Sequence, residues 1–443
     1  MSAPVGRTIA RMEGSARFIA LIKLANVGLT LIWGFAVTYV FVRVLPLREF
    51  QAFLLLVAFG NFTISAEFGL TSIIYARLRR HWLGHGGDSG DSGDGFRLEE
   101  MGVLFLFLGM LILGGVVILL VALVAGGIDT TMPLLFILFF LSACINLPAL
   151  LAKRALAAVD GNFVWEMLDC VRRMMTIALL LLILKGLDAR LSVALQLVIS
   201  MAVIGYAIKL VHGRLGMTSG HWLAFRRGGA YVRTHYLRDI SASALFTVSE
   251  IVAYNAPYFT IAFATQDARP MLLFDFLFKM SRALSMAIRA MVEAALPRIT
   301  RAFHGGDRTR LRQLLTRALA AGFIFALAAS AALLMLGQWV FAKLFAGRAA
   351  IGMTDLLLID GALLALTLIC VSVYVQAALG RFSHLLKRSL PFLAGSLLSV
   401  PLAMMLGDGF DRGFLAIYAL TMIVVAALHA LSLRRLLQGS AAR

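Results

Sequence analysis

Apolar stretches of about 20 residues recur along this 443-residue chain from one end to the other. An α-helix of that length crosses ~30 Å of hydrocarbon, so each stretch is long enough to span a membrane. Hydrophobic residues make up 61% of the chain, charged residues only 14%, and the mean hydropathy is +0.90. A soluble protein of this size could not bury so much apolar surface and keep a polar exterior. The sequence therefore predicts an all-α, polytopic membrane protein.

We predict about twelve transmembrane helices, arranged as two pseudo-symmetric lobes of six around a central cavity. Their predicted ranges are 18–42, 51–76, 101–126, 132–153, 164–185, 191–211, 240–264, 271–296, 315–345, 353–379, 389–407 and 413–433. The fifth helix is the least regular, because its apolar core, Met174–Leu184, is too short to span a membrane alone. It must begin near Val164 and include the charged residues before that core, which are Glu166, Asp169, Arg172 and Arg173.

The basic residues are distributed unevenly between the predicted loops. Of the 41 Lys and Arg residues, 27 lie at the two termini and in the loops on the same side, whereas 8 lie in the opposite loops. Loops rich in Lys and Arg remain on the cytoplasmic side, so both termini are predicted to be cytoplasmic. This asymmetry also accounts for the net charge of +18. We therefore predict no nucleic-acid partner.

Two of the predicted cytoplasmic connections are longer than the others. Gly84–Gly95 contains Gly, Ser and Asp at low complexity and is predicted to be a flexible tether, without the ligand spacing of a calcium loop. Gly220–Asp239 interleaves aromatic residues with arginines, which is typical of an amphipathic segment at the level of the lipid headgroups. It predicts a linker at 220–239 between an N-terminal lobe, 1–219, and a C-terminal lobe, 240–443.

A short sequence repeat supports two related halves. "AAVDGNF" (Ala157–Phe163) follows the fourth predicted helix, and "AALGRF" (Ala377–Phe382) follows the tenth. Gly161 and Gly380 are 219 residues apart and occupy the same predicted turn. Transporters are often built from duplicated halves with the binding site between them.

The eighth predicted helix carries a stripe of charge through an otherwise apolar sequence. At 100° per residue its ionisable residues fall within an arc of about 80°. These residues are Asp275, Lys279, Arg282, Arg289 and Glu293. A charge at the bilayer centre costs roughly 2.5–3.5 kcal/mol, so the stripe must face protein or water rather than lipid.

Two interpretations of this stripe remain open. Asp275 with Lys279, and Arg289 with Glu293, have the four-residue spacing of ion pairs that would simply hold the bundle together. Arg282 has no acid at that spacing on its own helix and needs an acid from another helix or an anionic ligand. Arginine suits a phosphate, because its planar guanidinium donates two parallel hydrogen bonds.

Other predicted helices contribute polar groups at membrane depth, and together with the stripe they predict a water-filled cavity. The candidate substrate-binding residues are Arg282, Arg289, Lys279, Lys23, Asn26 and Asn255. The candidate supporting or ion-coupling acids are Asp275, Glu293, Glu67, Glu250 and Asp360. No catalytic residue, metal site or cofactor is predicted. Transport through such a cavity could be coupled to protons or sodium, and the sequence does not tell which.

The segment Arg43–Arg79 resembles the one by which polysaccharide flippases of the Wzx type are recognised. In that family a short loop with Pro, then an acid and Phe, precedes an apolar helix that ends in Asp-Leu-Gly-Leu. The matching residues here are Pro46, Glu49, Phe50, Glu67, Gly69 and Leu70, with departures at Gln51 (usually Gly) and Glu67 (usually Asp). Leu296–Arg301 and the turn Ala377–Phe382 also look like that family.

The resemblance implies the superfamily of multidrug, oligosaccharidyl-lipid and polysaccharide exporters, with two six-helix lobes and alternating access. It implies transport of an undecaprenyl-pyrophosphate-linked oligosaccharide across the bacterial inner membrane, with membrane lipid, a polymerase and glycosyltransferases as partners. Two alternatives remain. A cation-coupled multidrug exporter usually has an acid on the first helix, where this chain has Lys23 and Asn26. A membrane glycan-processing enzyme would need a larger external loop than any predicted here.

Overall fold

The computed structural model describes residues 16–65, 67, 70–83, 96–379, 381–406 and 409–438. Within these ranges every regular element is an α-helix, and no β-strand occurs. The helices are α1 (Ala16–Val44), α2 (Leu47–Ser65), α3 (Leu70–Trp82), α4 (Glu99–Val124), α5 (Pro133–Cys144), α6 (Asn146–Ala158), α7 (Asn162–Ile183), α8 (Ala189–Arg214), α9 (Ser219–Leu223), α10 (Phe225–Ala264), α11 (Ala268–His304), α12 (Arg308–Leu344), α13 (Met353–Ala378), α14 (Phe382–Met404) and α15 (Phe410–Gln438). The predicted tether Gly84–Gly95 lies outside the described residues.

These helices confirm the predicted all-α, polytopic membrane class. Eight candidate spans in the described chain are long and apolar enough to cross a membrane, and they lie on α1, α2, α4, α5 with α6, α8, α12, α13 and α15. The other four predicted spans coincide with α7, α10, α11 and α14, which fall short of that apolar character. The irregular fifth predicted helix is α7, which begins at Asn162 and therefore includes the charged residues before its apolar core.

The prediction of one continuous second helix over 51–76 is wrong. Helix α2 ends at Ser65 and α3 begins at Leu70. Glu67 lies between them, where its carbonyl accepts from Leu70 N at 3.0 Å and its carboxylate from Thr71 N at 3.0 Å. An acid that binds the first free N–H groups of a helix acts as an N-terminal cap. Glu67 therefore starts α3 instead of lying within a longer helix.

The predicted start of the seventh helix at residue 240 is also wrong. The polar segment before it is already helical, first as the short α9 and then as the beginning of the 40-residue α10. Gly228 packs against the main chain of Glu99, and Tyr231 is buried. These contacts with α4 order a segment whose sequence alone indicates only an amphipathic linker.

The described chain divides into two compact units. The first contains the described residues up to Val44 together with Leu56–Ala244, and the second contains Leu45–Leu55 and the chain from Leu245 onward. In the first unit α1 packs on α7, while α3 and α8 pack on α6. Its apolar core surrounds Trp165 and includes Leu147, Leu151 and Ile204.

In the second unit α13 is the central helix, packed against α11, α12 and α15, and α14 packs on α15. Aromatic rings fill the space around α11. The Phe274 ring lies 4.9 Å from that of Tyr258, 5.8 Å from Phe414 and 5.6 Å from Tyr418, all in edge-to-face arrangements. This cluster buries the first half of α11 among aromatic side chains.

The turn between α6 and α7 recurs between α13 and α14. In the first turn the N–H groups of 159, 161 and 165 bond to the carbonyls of 155, 156 and 161. In the second turn the N–H groups of 379, 381 and 385 bond to the carbonyls of 375, 376 and 381. Corresponding donors, such as 161 and 381, are 220 positions apart. The predicted pairing of Gly161 with Gly380 is therefore displaced by one residue, and Asp160 is the counterpart of position 380, which itself lies outside the described residues.

Asp160 has a positive φ of 59°, a backbone conformation that Asp and Asn tolerate better than most residues. Its carboxylate accepts from Arg79 Nη1 at 2.5 Å and from Trp82 Nε1 at 2.7 Å, which connects the end of α3 to the turn. Partial burial raises the pKa of Asp160, but the hydrogen bonds from Arg79 and Trp82 and the charges of Arg79 and Arg214 outweigh this effect, so the pKa lies below its ordinary value.

Candidate functional site

The charged stripe predicted from the sequence lies on α11, in the second unit. The helix begins where the Asp267 carboxylate accepts from Arg269 N at 3.0 Å. Along the stripe the environment changes from buried to exposed. Asp275 is 1% exposed, Lys279 is partly buried, and Arg282, Arg289 and Glu293 are exposed. The stripe therefore divides into a closed half and an open half.

The closed half is an ion pair with an aromatic partner. Lys279 Nζ donates to both carboxylate oxygens of Asp275. Tyr258 Oη on α10 donates to Asp275 Oδ1 at 2.8 Å. Asp275 thus binds one charged and one neutral donor. These partners offset the cost of removing its carboxylate from water. The predicted Asp275–Lys279 pair is confirmed, and Tyr258 is a partner that the sequence pattern did not indicate.

The open half contains the second predicted pair. Arg289 Nε donates to Glu293 Oε1 at 2.7 Å, and both side chains are about half exposed, at 55% and 51%. The Arg289 guanidinium also lies 5.8 Å from the ring centroid of Tyr374 on α13. Arg282 lies between the two pairs and has interactions of its own. The open half therefore presents two guanidinium groups, at Arg282 and Arg289, on an exposed surface.

Tyr374 is the point at which α10, α11 and α13 contribute polar groups to one region. Glu250 on α10 lies within electrostatic range of both Tyr374 and Cys370. Ser285 Oγ on α11 lies 3.3 Å from Cys370 Sγ. The predicted acid Glu250 is consequently in the same neighbourhood as the open half of the stripe.

Two other predicted residues of the second unit lie in different surroundings. Asn255 is buried, and its Nδ2 donates to Ile251 O of its own helix at 2.9 Å. Asp360 is buried, and its Oδ2 accepts from Ser330 Oγ of α12 at 2.7 Å. The other carboxylate oxygen of Asp360 is buried without a hydrogen-bond partner among the described residues.

The predicted residues of the first unit form a separate group on α1 and α7. Lys23 is exposed, whereas Asn26 is buried and donates to Glu166 Oε2 at 2.6 Å and to Glu166 O at 2.9 Å. Glu166 also pairs with Lys153 of α6, at 3.4 Å between Oε1 and Nζ. Asn26 Oδ1 is buried without a hydrogen-bond partner in the described chain.

A second ion-pair network follows one turn later on α7. Asp169 accepts from Arg172 Nη2 at 2.6 Å and from Arg173 Nε at 2.9 Å. Arg172 Nη1 also lies 3.5 Å from Asn146 Oδ1 of α6. The sequence signal was present, since four charged residues in one predicted span are unusual. The partners Lys153 and Asn146 came from another helix and were missed.

The fold of this chain is similar to that of solved MATE transporters. Similar solved structures include an inward-facing multidrug resistance MATE family transporter, with a TM-score of 0.63, 15% identity and coverage of 95% of this chain and 100% of that chain. The eukaryotic MATE transporter AtDTX14 has a TM-score of 0.63, 15% identity and 94% coverage of both chains. A point mutant of the Vibrio cholerae MATE transporter VcmN has a TM-score of 0.63, 15% identity and 98% coverage of both chains.

Identities this low establish the fold and nothing narrower. No protein-family model and no curated protein matches this sequence.

Proposed function

We propose that this protein is a flippase for a polyprenyl-pyrophosphate-linked oligosaccharide. It would move the repeat unit of a polysaccharide from the cytoplasmic to the outer leaflet of the bacterial inner membrane by alternating access between two six-helix lobes. Both termini would be cytoplasmic, and the linker over 220–239 would join the lobes. A polymerase and glycosyltransferases of the same pathway would act on the product and supply the substrate.

The observation that carries this proposal is the exposed, arginine-containing half of the α11 stripe. Arg282 and Arg289 are exposed on a helix whose first half is buried in an aromatic core. Charged groups on a helix within the membrane are energetically costly, so their presence there indicates a function. A pyrophosphate is the group that two arginine forks bind well, because each fork donates two parallel hydrogen bonds.

The two arginines would contact neighbouring parts of the head group. They are seven residues apart, or about 10 Å along the helix axis, so they reach successive positions of a pyrophosphate and its first sugar. Glu293 binds the Nε edge of Arg289 at 2.7 Å and would orient its terminal amino groups toward the ligand. Lys279 would be a third contact, held by Asp275 until the cavity opens. The polyprenyl tail would remain in lipid.

The test replaces the arginines in cells whose surface glycan depends on this protein. Arg282→Gln and Arg289→Gln should each stop glycan export and cause lipid-linked oligosaccharide to accumulate on the cytoplasmic face. Arg298→Gln is the matched control. It removes the same charge from an exposed site on the same helix, about 160° away from Arg282 on the helical wheel. Normal export and glycan length at wild-type protein levels in Arg282→Gln would refute anion binding.

A cation-coupled multidrug exporter is the second candidate. The observation that favours it is the Asn26–Glu166–Lys153 cluster, in which Asn26 and Glu166 are buried and Lys153 is partly exposed. The Glu166 carboxylate lies next to Asn26, whose amide oxygen has no hydrogen-bond partner among the described residues. Similar solved structures include a multidrug resistance transporter. This function predicts drug resistance on overexpression, loss of that resistance in Glu166→Gln, and unchanged surface glycans in a deletion strain.

Transport explains the fold and the stripe better than catalysis does. If the purified protein incorporated labelled sugar into a lipid-linked glycan, an enzymatic function would replace the proposal. Flipping by the purified protein in vesicles, measured under a proton gradient and under a sodium gradient, would also identify the coupling ion.

A further inference from the structure

The segment Ser219–Arg233, here called the bracket, consists of α9 and the first turns of α10, and it packs closely on the start of α4. A Cβ atom on Gly102 of α4 would lie 2.4 Å from the carbonyl oxygen of Trp222. A Cβ atom on Gly228 of α10 would lie 2.7 Å from the carbonyl oxygen of Glu99. Both glycines are therefore required for this approach, and the bracket is seated main chain to main chain.

Side chains strengthen the inner face of the bracket. Trp222 Nε1 donates to His212 Nδ1 of α8 at 3.1 Å, and its ring meets Phe105 of α4 edge to face at 6.0 Å. Tyr231 is buried and contacts two arginines of the first unit. Arg77 Nη2 donates to Tyr231 Oη at 3.1 Å, and the Arg97 guanidinium lies 4.7 Å from the Tyr231 ring centroid. The inner face is thus bound to α3, α4 and α8.

The outer face has the opposite character. Leu223 is 69% exposed and Phe225 is 38% exposed. Arg226, Arg227 and Arg233 are exposed beside them. The sequence from 216 to 238 contains no acidic residue, so nothing on the bracket itself neutralises these charges. An exposed surface that is both apolar and basic is complementary to a partner that is both apolar and anionic.

The position of the bracket indicates that partner. It packs on Gly102, at the beginning of the candidate span Glu99–Val124 of α4. It also follows Arg214, the end of the candidate span Ala189–Arg214 of α8. A segment seated at the ends of two spans lies at the boundary between hydrocarbon and water, where headgroup phosphates and the first methylene groups are found.

We propose that the outer face of the bracket binds anionic phospholipid. Arg226 and Arg227 would contact the phosphate headgroups, and Leu223 and Phe225 would enter the acyl region. An acidic segment of a protein would match the arginines but would leave Leu223 exposed to water, so lipid satisfies both parts of the surface. This inference goes beyond the proposed transport function, because it concerns the membrane surrounding the protein and not its cargo.

The test measures lipid binding to the purified full-length protein by native mass spectrometry, with phosphatidylglycerol as the anionic probe and phosphatidylcholine as the zwitterionic one. The wild-type protein should bind phosphatidylglycerol more tightly. Arg226→Gln/Arg227→Gln should raise the apparent Kd for phosphatidylglycerol by about fivefold for each arginine removed, without affecting phosphatidylcholine. Both side chains are exposed, so folding should be preserved and is checked by the thermal unfolding midpoint.

The matched control is Arg308→Gln/Arg310→Gln, which removes two exposed arginines that also lie at the start of a candidate span, Arg308–Leu344, but have no exposed large apolar residue beside them in the described part of the chain. Its apparent Kd should stay within about twofold of the wild-type value, less than the effect of one surface arginine. An equal loss in both double variants would mean general electrostatic attraction and would overturn the proposal. Equal wild-type affinity for the two lipids would overturn it without any variant. An unchanged Kd in Arg226→Gln/Arg227→Gln would also overturn it, because the two arginines would then make no contact with the lipid headgroups.

Discussion

Replacing Asp275 with asparagine is expected to destabilise the protein through the charge that it leaves behind. The carboxylate of Asp275 is buried and binds Lys279 Nζ and Tyr258 Oη. Asparagine has nearly the same shape and can still accept the Tyr258 hydrogen bond. The ammonium of Lys279, whose side chain is only 14% exposed, would lose its counter-charge.

The magnitude follows from the surroundings of Lys279. Removing one partner of a buried ion pair typically costs 3–5 kcal/mol, because the remaining charge is uncompensated. Since Lys279 is partly exposed, we expect about 3 kcal/mol for Asp275→Asn, the lower end of that range. Lys279→Met should cost a similar amount, because it leaves the more deeply buried carboxylate unpaired.

The double variant Asp275→Asn/Lys279→Met removes both charges and keeps an apolar side chain in the place of the lysine. Replacing a buried ion pair as a whole is often neutral, so the double variant should be clearly more stable than the sum of the single changes predicts. We expect a coupling energy of about 2 kcal/mol or more. Equilibrium unfolding of the purified proteins in detergent micelles measures it. Additive single effects would refute the interpretation that Lys279 and Asp275 act as a pair.

Transport by the same double variant distinguishes the two roles of Lys279. If the lysine only pairs with Asp275, the stable double variant should still export glycan. If Lys279 also contacts the pyrophosphate, stability should recover while export remains defective. Arg282→Gln should be defective in either case, which makes it the reference for loss of anion binding.

Two further predictions concern tight contacts in the first unit. Gly102→Ala should destabilise the protein by about 1–3 kcal/mol, because its Cβ would collide with the Trp222 carbonyl. The control is Gly114→Ala on the same helix, which should be close to neutral because its Cβ would meet open space. The thermal unfolding midpoints of the two variants test this difference. Asp160→Asn should keep the turn but lose its ionic contact with Arg79. Because the pKa of Asp160 is lowered in the folded protein, its contribution to the free energy of unfolding is present above the ordinary pKa of 3.8 and is lost as the pH falls through the folded pKa. The stability of the variant, measured by unfolding at a series of pH values, should therefore be less sensitive to acid than that of the wild type.

The sequence predicted the helices well wherever apolar length decided the outcome. The predicted ranges 101–126 and 353–379 match α4 and α13 within about two residues, as expected for long apolar spans. It failed where one polar side chain bound the main chain. Glu67 ends the continuity between α2 and α3 by capping Thr71 N, and hydrophobic periodicity contains no information about that bond.

The candidate site shows the same division between local and distant information. Four-residue spacing on one helix was sufficient to predict Asp275 with Lys279 and Arg289 with Glu293, because both partners lie on the same face. Partners from other helices could not be predicted from spacing. Tyr258 and Tyr374 are ordinary aromatic residues in the sequence, and only helix packing brings them to the stripe.

The repeated turn explains why a sequence match can be displaced by one residue. Aligning Gly161 with Gly380 assumes that both glycines occupy the same structural position in the turn. In the first turn, however, the residue with a positive φ is Asp160. Gly161 has a φ of −101° and is required for space, since its Cβ would lie 2.8 Å from Leu156 Cδ2 and 3.0 Å from Arg214 Nη1. The backbone hydrogen bonds place Asp160, not Gly161, at the position corresponding to 380. A glycine there has no carboxylate, so the contact with Arg79 and Trp82 cannot have a counterpart in the second turn. The two turns therefore share a pattern of backbone hydrogen bonds, and in the first turn the Asp160 side chain also connects it to α3.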